Sequence, residues 1–232
     1  TIGAAVGTGG ITVSAATFND PVSLLSPAGG TINVTGALTG AGNASITLDG
    51  SGATTGFAAG SVTADQDITI SDSVEVAEAA AVALDTGTAG GGNIVITGTT
   101  NGTAGGTAES LQFITGSGTT TLTGAVGGTT PLALTLQSNN AGNTGAVTFN
   151  DAVNALSLTT FAHGYNVALN AGGAVTADTN FLNTGSVTFG ASTTFTGGLD
   201  TTTGPSGTSI AGTLATTATQ MDLGAATLTA AT

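Results

Sequence analysis

His163 is the only histidine of the chain and is therefore the first candidate for acid–base chemistry. With Ser157 as a nucleophile, or Asp151 as an orienting carboxylate, it could form part of a nucleophile–base pair. It lies, however, between Ala162 and Gly164, in a segment whose composition is typical of a turn. We therefore interpret His163 as a turn residue and predict no catalytic site around it.

The thirteen carboxylates are the other groups that could do chemistry. Two carboxylates can hydrolyse a glycosidic bond, but no pair is convincing by its spacing, and the chain has no Lys or Arg to serve as a cationic base. Oxygen ligands for Ca²⁺ could come from Asp65–Asp67 with Asp72, and from Asn19–Asp20 or Asn150–Asp151. The calcium nonapeptide of β-rolls and the EF-hand pattern are both missing from the sequence. We therefore predict solvated turn carboxylates, no metal or cofactor, and no enzymatic activity.

Two further patterns carry weaker signals. Thr-x-Thr triplets such as Thr121–Thr123 and Thr227–Thr229 are typical of ice-binding solenoids, but those proteins need a strictly periodic threonine array and the spacing here is irregular. Sequons for N-glycosylation begin at Asn33, Asn43 and Asn101, and a chain this rich in Ser and Thr contains such matches by chance. Neither pattern is interpreted as a functional site.

Charge composition excludes several classes of partner. The chain has no Lys and no Arg, and its formal net charge is −13. Nucleic-acid binding is excluded because its affinity depends on cations placed at phosphates. Binding to an anionic membrane surface is excluded for the same reason. The chain also has no Cys, so no disulfide framework supports the fold.

Short alternating strands and dense turns dominate the 232 residues, 39 of which are Gly. The stretch Gly145–Gly172 shows the pattern best: apolar residues alternate with small polar ones in three short pairs, separated by Asn, Asp and Gly. The predicted core residues of this stretch are Val147, Phe149, Leu156, Leu158, Val167 and Leu169. His163 and Tyr165 are predicted to decorate a turn between them.

Similar strand centres recur about every 8–14 residues, which is typical of all-β folds. The segment Asp72–Asp85 is ambiguous, because Ala, Glu and Leu favour a helix while Val74/Val76 and Val82/Leu84 alternate. We favour two strands with a corner near Glu78 and keep a one-turn helix as the alternative.

The strands predict a single continuous β-solenoid over residues 1–232. Tandem immunoglobulin-like sandwiches would need longer strands and a larger aromatic core. In a solenoid, equivalent residues of successive coils stack about 4.8 Å apart, where like charges repel and Thr, Ser and Asn can hydrogen-bond instead. A coil of about 20–25 residues gives roughly ten coils and a rod of about 50 Å.

Three stretches resemble the degenerate repeats of giant bacterial surface proteins. They are GAVTFNDAVNALSLTT from Gly145, Thr121–Leu136 and Ser61–Ile70. The families concerned are filamentous-haemagglutinin-like exoproteins, autotransporter passengers and repeat adhesins. The resemblance implies a right-handed parallel β-helix, an extracellular location at the bacterial cell surface, and a structural or adhesive role.

Three functions follow as hypotheses. The first is a structural protein that forms a surface filament by stacking or lateral self-association, since neither Thr1–Gly10 nor Leu223–Thr232 offers a charged or amphipathic cap. The second is a passive shaft of an adhesin whose tip lies elsewhere. The third is a carbohydrate-active β-helix enzyme. The expected partners are other copies of the chain, with host-cell, prey or matrix surface glycans as the partners of an adhesive role.

Overall fold

The computed structural model describes residues 1–4, 6–7, 9–87, 91–103, 109–140, 142–217 and 219–229. These residues form 29 short β-strands and no helix, and their sheets are built from parallel pairs. The chain is a right-handed β-solenoid of about 10 turns with coils about 22 residues apart, so the predicted fold class is confirmed. Among the described residues, no helix is long and apolar enough to cross a membrane.

The first face of the solenoid is an unbroken ladder of eleven strands. In order along the rod these are β1 (Ile2–Gly3), β4 (Val22–Leu25), β7 (Ile46–Asp49), β10 (Ile68–Ile70), β13 (Ile94–Ile96), β16 (Thr120–Leu122), β18 (Ala146–Phe149), β20 (Asn166–Leu169), β23 (Ser186–Phe189), β26 (Gly207–Ile210) and β29 (Ala226–Leu228).

The second face continues through ten coils. It contains β2 (Ile11–Val13), β5 (Ile32–Val34), β8 (Thr54–Phe57), β11 (Ser73–Val76) and β14 (Thr100–Gly102), then the bridged residues Val126 and Val153, then β21 (Gly173–Val175), β24 (Thr193–Phe195) and β27 (Leu214–Thr216).

The third face also has ten levels, in two hydrogen-bonded sheets. Its strands are β3 (Ala16–Phe18), β6 (Leu38–Gly40), β9 (Val62–Ala64), β12 (Ala81–Asp85), β15 (Ser110–Ile114), β17 (Leu132–Leu136), the end of β19 (Val153–Thr159), β22 (Thr179–Asn180), β25 (Leu199–Asp200) and β28 (Met221–Asp222). Strand β19 is long enough to serve both the second and the third face of its coil. Strands β19 and β22 are neighbours but are not paired as strands.

Strand alternation directs one set of side chains into a narrow interior. The inner residues of the first face form columns in which each residue lies over its equivalent in the previous coil, such as Leu48, Ile70, Ile96 and Leu122. These four side chains are fully buried. Three phenylalanines, Phe181, Phe189 and Phe195, fill the interior farther along with edge-to-face contacts between ring centroids 5.6–6.2 Å apart.

Glycines allow the corners of successive coils to stack. Gly145 lies over Gly118, which lies over Gly92, and a Cβ added to Gly118 or Gly145 would overlap the carbonyl oxygen of the glycine beneath it. Only a residue without a side chain fits this close backbone approach. The high glycine content is therefore a requirement of stacked corners.

The segment Asp72–Asp85 forms two strands, as the favoured reading predicts. Between β11 and β12 the chain turns at Ala77–Ala80, where the Ala80 amide donates to the Ala77 carbonyl over 2.9 Å. Ala79 adopts a positive φ of 60° in this turn. The corner lies at Glu78, and the one-turn helix does not form.

Two predictions within Gly145–Gly172 are wrong. Leu156 is only half-buried, because the register between β17 and β19 shifts at this residue: Leu132 pairs with Ala155, and Ala133 pairs with Ser157. This bulge turns Leu156 out of the core and brings Leu158 in. Tyr165 does not decorate a turn, since its side chain is fully buried.

The two terminal segments in which the sequence offers no charged or amphipathic cap, Thr1–Gly10 and Leu223–Thr232, are described in part. Positions 5, 8 and 230–232 lie outside the described residues. The first segment contains β1, and the second contains β29. Leu223 lies exposed between β28 and β29.

Candidate functional site

His163 lies in the turn between β19 and β20, as predicted. Its amide donates to the Phe161 carbonyl and its carbonyl accepts from the Thr184 amide, each over 2.8 Å. Its Nε2 atom is buried without a hydrogen-bond partner, and among the described residues no hydrogen bond joins His163 to Ser157 or Asp151. The structure therefore does not assemble the nucleophile–base pair considered from the sequence.

Beside His163, the buried Tyr165 closes the turn from the inside. The Phe161 amide donates to the Tyr165 hydroxyl over 2.8 Å, and that hydroxyl donates to the Leu136 carbonyl over 3.1 Å. Burial raises the pKa of Tyr165 from 10.0 to about 12, because the charged phenolate loses its hydration. Tyr165 therefore joins its own coil to the preceding one and remains neutral through the ordinary pH range.

The carboxylates considered as calcium ligands point in different directions. Asp72 is buried and its carboxylate accepts hydrogen bonds from the Gly50 amide and from the Thr55 hydroxyl, the latter over 3.0 Å. Asp67 is exposed and its Oδ1 accepts from the amide of Asn93 over 2.7 Å. No group of three His, Cys, Asp or Glu that could hold a metal occurs in the described part of the chain.

The other two candidate ligand pairs are exposed and lie several coils apart, Asn19–Asp20 between β3 and β4 and Asn150–Asp151 after β18. Asn150 uses its side-chain oxygen to accept from the amide of Asn170 in the next coil, over 3.0 Å. Asn150 therefore takes part in a hydrogen bond between successive coils and not in a ligand cluster.

Polar side chains form hydrogen-bonded ladders along the outside of the rod. The Oδ1 atom of Asp67 accepts from Asn93, and the Oδ1 atom of Asn93 in turn accepts from the amide and the hydroxyl of Thr119, over 3.0 and 2.9 Å. The same contact recurs where the amide of Ser186 donates to Asn166 over 2.8 Å. Each ladder joins equivalent positions of successive coils, so the polar surface repeats with the coil.

The outer centre of the first face carries a column of mostly hydroxyl residues, which we name the hydroxyl column. Eight of its ten members are Ser or Thr and none is charged: Ser23, Thr47, Thr69, Val95, Thr121, Thr148, Ala168, Thr188, Ser209 and Thr227. The sequence spacing between coils varies from 18 residues (Ile210 to Leu228) to 27 (Leu122 to Phe149) along the inner column beside it. The turns absorb this variation, so threonines that are irregular in sequence are aligned in space.

Two shallow grooves interrupt the surface of the described residues. The larger, about 350 Å³, lies on the first face and is lined by residues such as Ser186, Gly207 and Thr227. The smaller, about 180 Å³, includes Asn33, Gly56 and Glu75. Neither groove holds two carboxylates or a histidine, so neither has the groups that a two-carboxylate glycosidase requires.

Among the described residues, strands β1, β2 and β3 are paired on one side only, and so are strands β27, β28 and β29 at the other end of the ladders. Apolar side chains are exposed there, with Leu228 at 82 % and Ile2 at 48 % of their full accessibility. Leu214 and Met221 are only partly covered by the core. An unpaired strand edge is a template on which a further strand, of the same chain or of another, can pair.

The sequence pattern did not show which inner columns the exposed apolar residues near the two ends of the rod belong to. The register pairs show that Leu228 belongs to the same inner column as Ile2, through Ile210 at one end and Leu24 at the other. On the second face, Leu214 likewise belongs to the inner column that begins at Ile11.

Comparisons of the chain with protein-family models, with curated proteins and with solved structures found no match.

Proposed function

We propose that the chain is an extracellular structural protein, a subunit of a surface fibre that forms by stacking and lateral association of β-solenoids. The observation that carries the proposal is the continuous ladder of eleven parallel strands on the first face, whose outer hydroxyl column carries no charge from coil to coil. The extracellular location rests on the resemblance to bacterial surface proteins.

Stacking is favoured by the direction of the strands. Because all pairs within the ladders are parallel, the edge strands at both ends run in the same sense around the rod. A second copy placed on the axis can therefore continue the ladders without reversing. Edges that pair in this way satisfy amide and carbonyl groups and also cover the exposed Leu228 and Ile2.

Lateral association is limited by charge. The chain carries −13 without any Lys or Arg, so parallel rods repel each other at neutral pH. Protons or divalent cations reduce this repulsion. We expect filaments to bundle as the pH falls toward the pI of about 4.1 or when Ca²⁺ is added, and to separate again with a chelator at neutral pH.

The runner-up function is a passive shaft that carries an adhesive tip elsewhere in a longer protein. The same rod serves this role, but a shaft requires no contact between copies. The third hypothesis, a carbohydrate-active enzyme, has the least support, because Asp72 and Asp67 accept hydrogen bonds from neighbouring coils and the two grooves described above contain no carboxylate pair.

The test is electron microscopy and fibre diffraction of the purified chain. We expect filaments with a meridional reflection near 4.8 Å, the spacing of strands along the rod. Leu228→Asp should shorten or abolish the filaments. Leu182→Asp is the matched control, because Leu182 is also exposed, at 38 %, but lies on the wall of the rod and away from both ends. Monodisperse monomers at high concentration would overturn the proposal in favour of the shaft.

A further inference from the structure

We propose that two rods of the fibre pair side by side through their first faces, each surface against the identical surface of a second copy, and that this pairing occurs at neutral pH. Because lateral association is part of the proposed function, the pairing rests on that proposal and identifies its contact surface. The positions of the carboxylates around the rod carry the inference.

The later part of the first face carries no charge on its outer side. On each coil three outward residues are accessible, such as Thr119, Thr121 and Thr123 around β16. From β13 to β29 these three positions hold only Thr, Ser, Asn, Ala, Gly and Val, and we name this region the uncharged surface. In the earlier coils the two edges of the same face carry Asp49 and Asp67. A copy that contacts the uncharged surface therefore meets no carboxylate on it.

The accessible carboxylates of these later coils lie mostly on other sides of the rod. Asp200 and Asp222 belong to the third face, where they are stacked in register, and Asp178 immediately precedes β22. Only Asp151 lies beside the uncharged surface, at the corner after β18. The rod therefore has a charged side and an uncharged side, although no cation pairs with any of these groups.

This distribution allows two like-charged rods to approach each other. Sheets packed face to face lie about 10 Å apart, and the third-face carboxylates lie about 10 Å farther back in each copy, so those of paired rods are roughly 20–30 Å apart. The Debye length at physiological ionic strength is about 8 Å, so their repulsion is largely screened. Contact through the third faces would instead bring Asp200 and Asp222 of the two copies together.

The second face is the closest competitor for the contact, because it also carries few charges. Its outward column includes Glu75, and its ladder is reduced to isolated bridges at Val126 and to a strand shared with the third face at β19. The first face is the one unbroken ladder among the described strands. Its outward residues therefore continue from coil to coil, as they do in sheets that pack against identical sheets.

The size of the uncharged surface sets the strength of the contact. Its seven strands extend for about 34 Å along the rod and its three outward positions for about 13 Å across it, which gives roughly 450 Å² per copy and about 900 Å² in total. Stable specific interfaces usually bury at least about 1,200 Å². Two single copies should therefore pair weakly, and pairs should accumulate when a fibre repeats the contact along its length.

A contact between identical surfaces is closed, because it uses the first face of both rods. At neutral pH we therefore expect fibres that are two rods wide. Wider bundles then need contacts through the other faces, and these become available when protons or Ca²⁺ reduce the charge of the third face.

Cysteine protection tests the surface, because the chain has no cysteine of its own. Thr148→Cys places a thiol on the uncharged surface, and Thr194→Cys places a matched thiol on the second face. Both threonines are half-buried outward residues that lie between their equivalents in two neighbouring coils. On assembly at neutral pH, a maleimide should label Thr148→Cys severalfold more slowly than before assembly, and the labelling of Thr194→Cys should not change.

A charge placed on the same surface gives a second readout. Thr148→Asp introduces a carboxylate on each side of the contact, so electron microscopy at neutral pH should show single rods where the parent protein shows pairs. Thr194→Asp is the matched control and should leave the rods paired. If Thr148→Asp leaves the pairs intact, the uncharged surface is not the contact.

The outcomes separate the pairing from the fibre. Protection of Thr148→Cys alone, in fibres two rods wide, supports pairing through the first faces. Protection of Thr194→Cys alone, protection of both thiols, or filaments of single rods with both thiols reactive would overturn it and leave the fibre intact. If the parent protein forms no filaments, the proposed function fails and the pairing fails with it.

Discussion

Charges placed on neighbouring members of the hydroxyl column should interact in proportion to their stacking. Thr121 and Thr148 are paired in register on β16 and β18, although 27 positions separate them in sequence. The perturbation is a double-mutant cycle with Thr121→Asp and Thr148→Asp, and a second cycle with Thr121→Asp and Thr148→Lys.

The magnitude follows from the distance between coils. Two unit charges 4.8 Å apart interact by about 0.9 kcal/mol in bulk water and by about 3.5 kcal/mol at an effective dielectric constant of 20. Because both positions are half-buried on the outer surface and long side chains can splay, we expect a value near the lower limit. The Asp/Asp pair should be destabilised by about 1 kcal/mol beyond the sum of the single variants, and the Asp/Lys pair stabilised by about the same amount.

The assay is urea unfolding of the four proteins of each cycle at low and at high salt. The coupling should decrease as salt is added, because the charges are exposed to solvent. The control cycle uses Thr121→Asp with Thr188→Asp, which lie three coils apart and beyond the Debye length at physiological salt. Equal coupling in the two Asp/Asp cycles would refute the stacked register and, with it, our explanation of the neutral column.

Three further predictions concern the interior. The free energy of unfolding should fall between pH 10 and about 12, because the unfolded chain releases the Tyr165 proton at a lower pKa than the folded chain. The loss should reach about 2–3 kcal/mol. It is measured by recording tyrosinate absorbance and unfolding on the same samples, and a Tyr165→Phe variant should not show it. Leu158→Ala should cost about 2–5 kcal/mol and Leu156→Ala less than about 1 kcal/mol, since only Leu158 lies in the core; equal losses in chemical denaturation would argue against the bulge. Phe189→Ala should cost about 3–5 kcal/mol, because it removes two edge-to-face ring contacts and leaves a cavity, and a thermal shift no larger than that of a surface variant would contradict this packing.

The fold could be predicted because each strand can be recognised from the alternation of its own residues. Ile46–Asp49 and Ile68–Ile70 alternate apolar with polar side chains, and their short length and small core residues favour a solenoid over a sandwich. The corner at Glu78 was also predictable, since the alternation of β11 and of β12 can be read on either side of it.

Whether a side chain faces the core could not be predicted where the register between two coils changes. Leu156 alternates correctly with Leu158, yet the bulge on β19 places the two leucines in different environments. A bulge arises from pairing with the neighbouring coil, and that pairing is not visible in a local pattern. Tyr165 was misjudged for a related reason, because the carbonyl that accepts from its hydroxyl belongs to Leu136 in another coil.

The candidate surfaces depend even more on pairing between coils. The alignment of Thr121 over Val95 and beneath Thr148 is hidden in the sequence by turns of unequal length. The continuity of the second face likewise depends on the register of Val126 and Val153, which lie between β14 and β21. Sequence patterns indicate which segments are strands, but the pairing between coils determines which residues meet.

The most direct test of the account is a cryo-electron microscopy reconstruction of the assembled protein. We predict filaments in which copies follow one another along the solenoid axis, with the strand spacing of about 4.8 Å continuing across every junction. Separate rods at every concentration and pH would contradict the central claim that this solenoid is built to continue into another copy of itself.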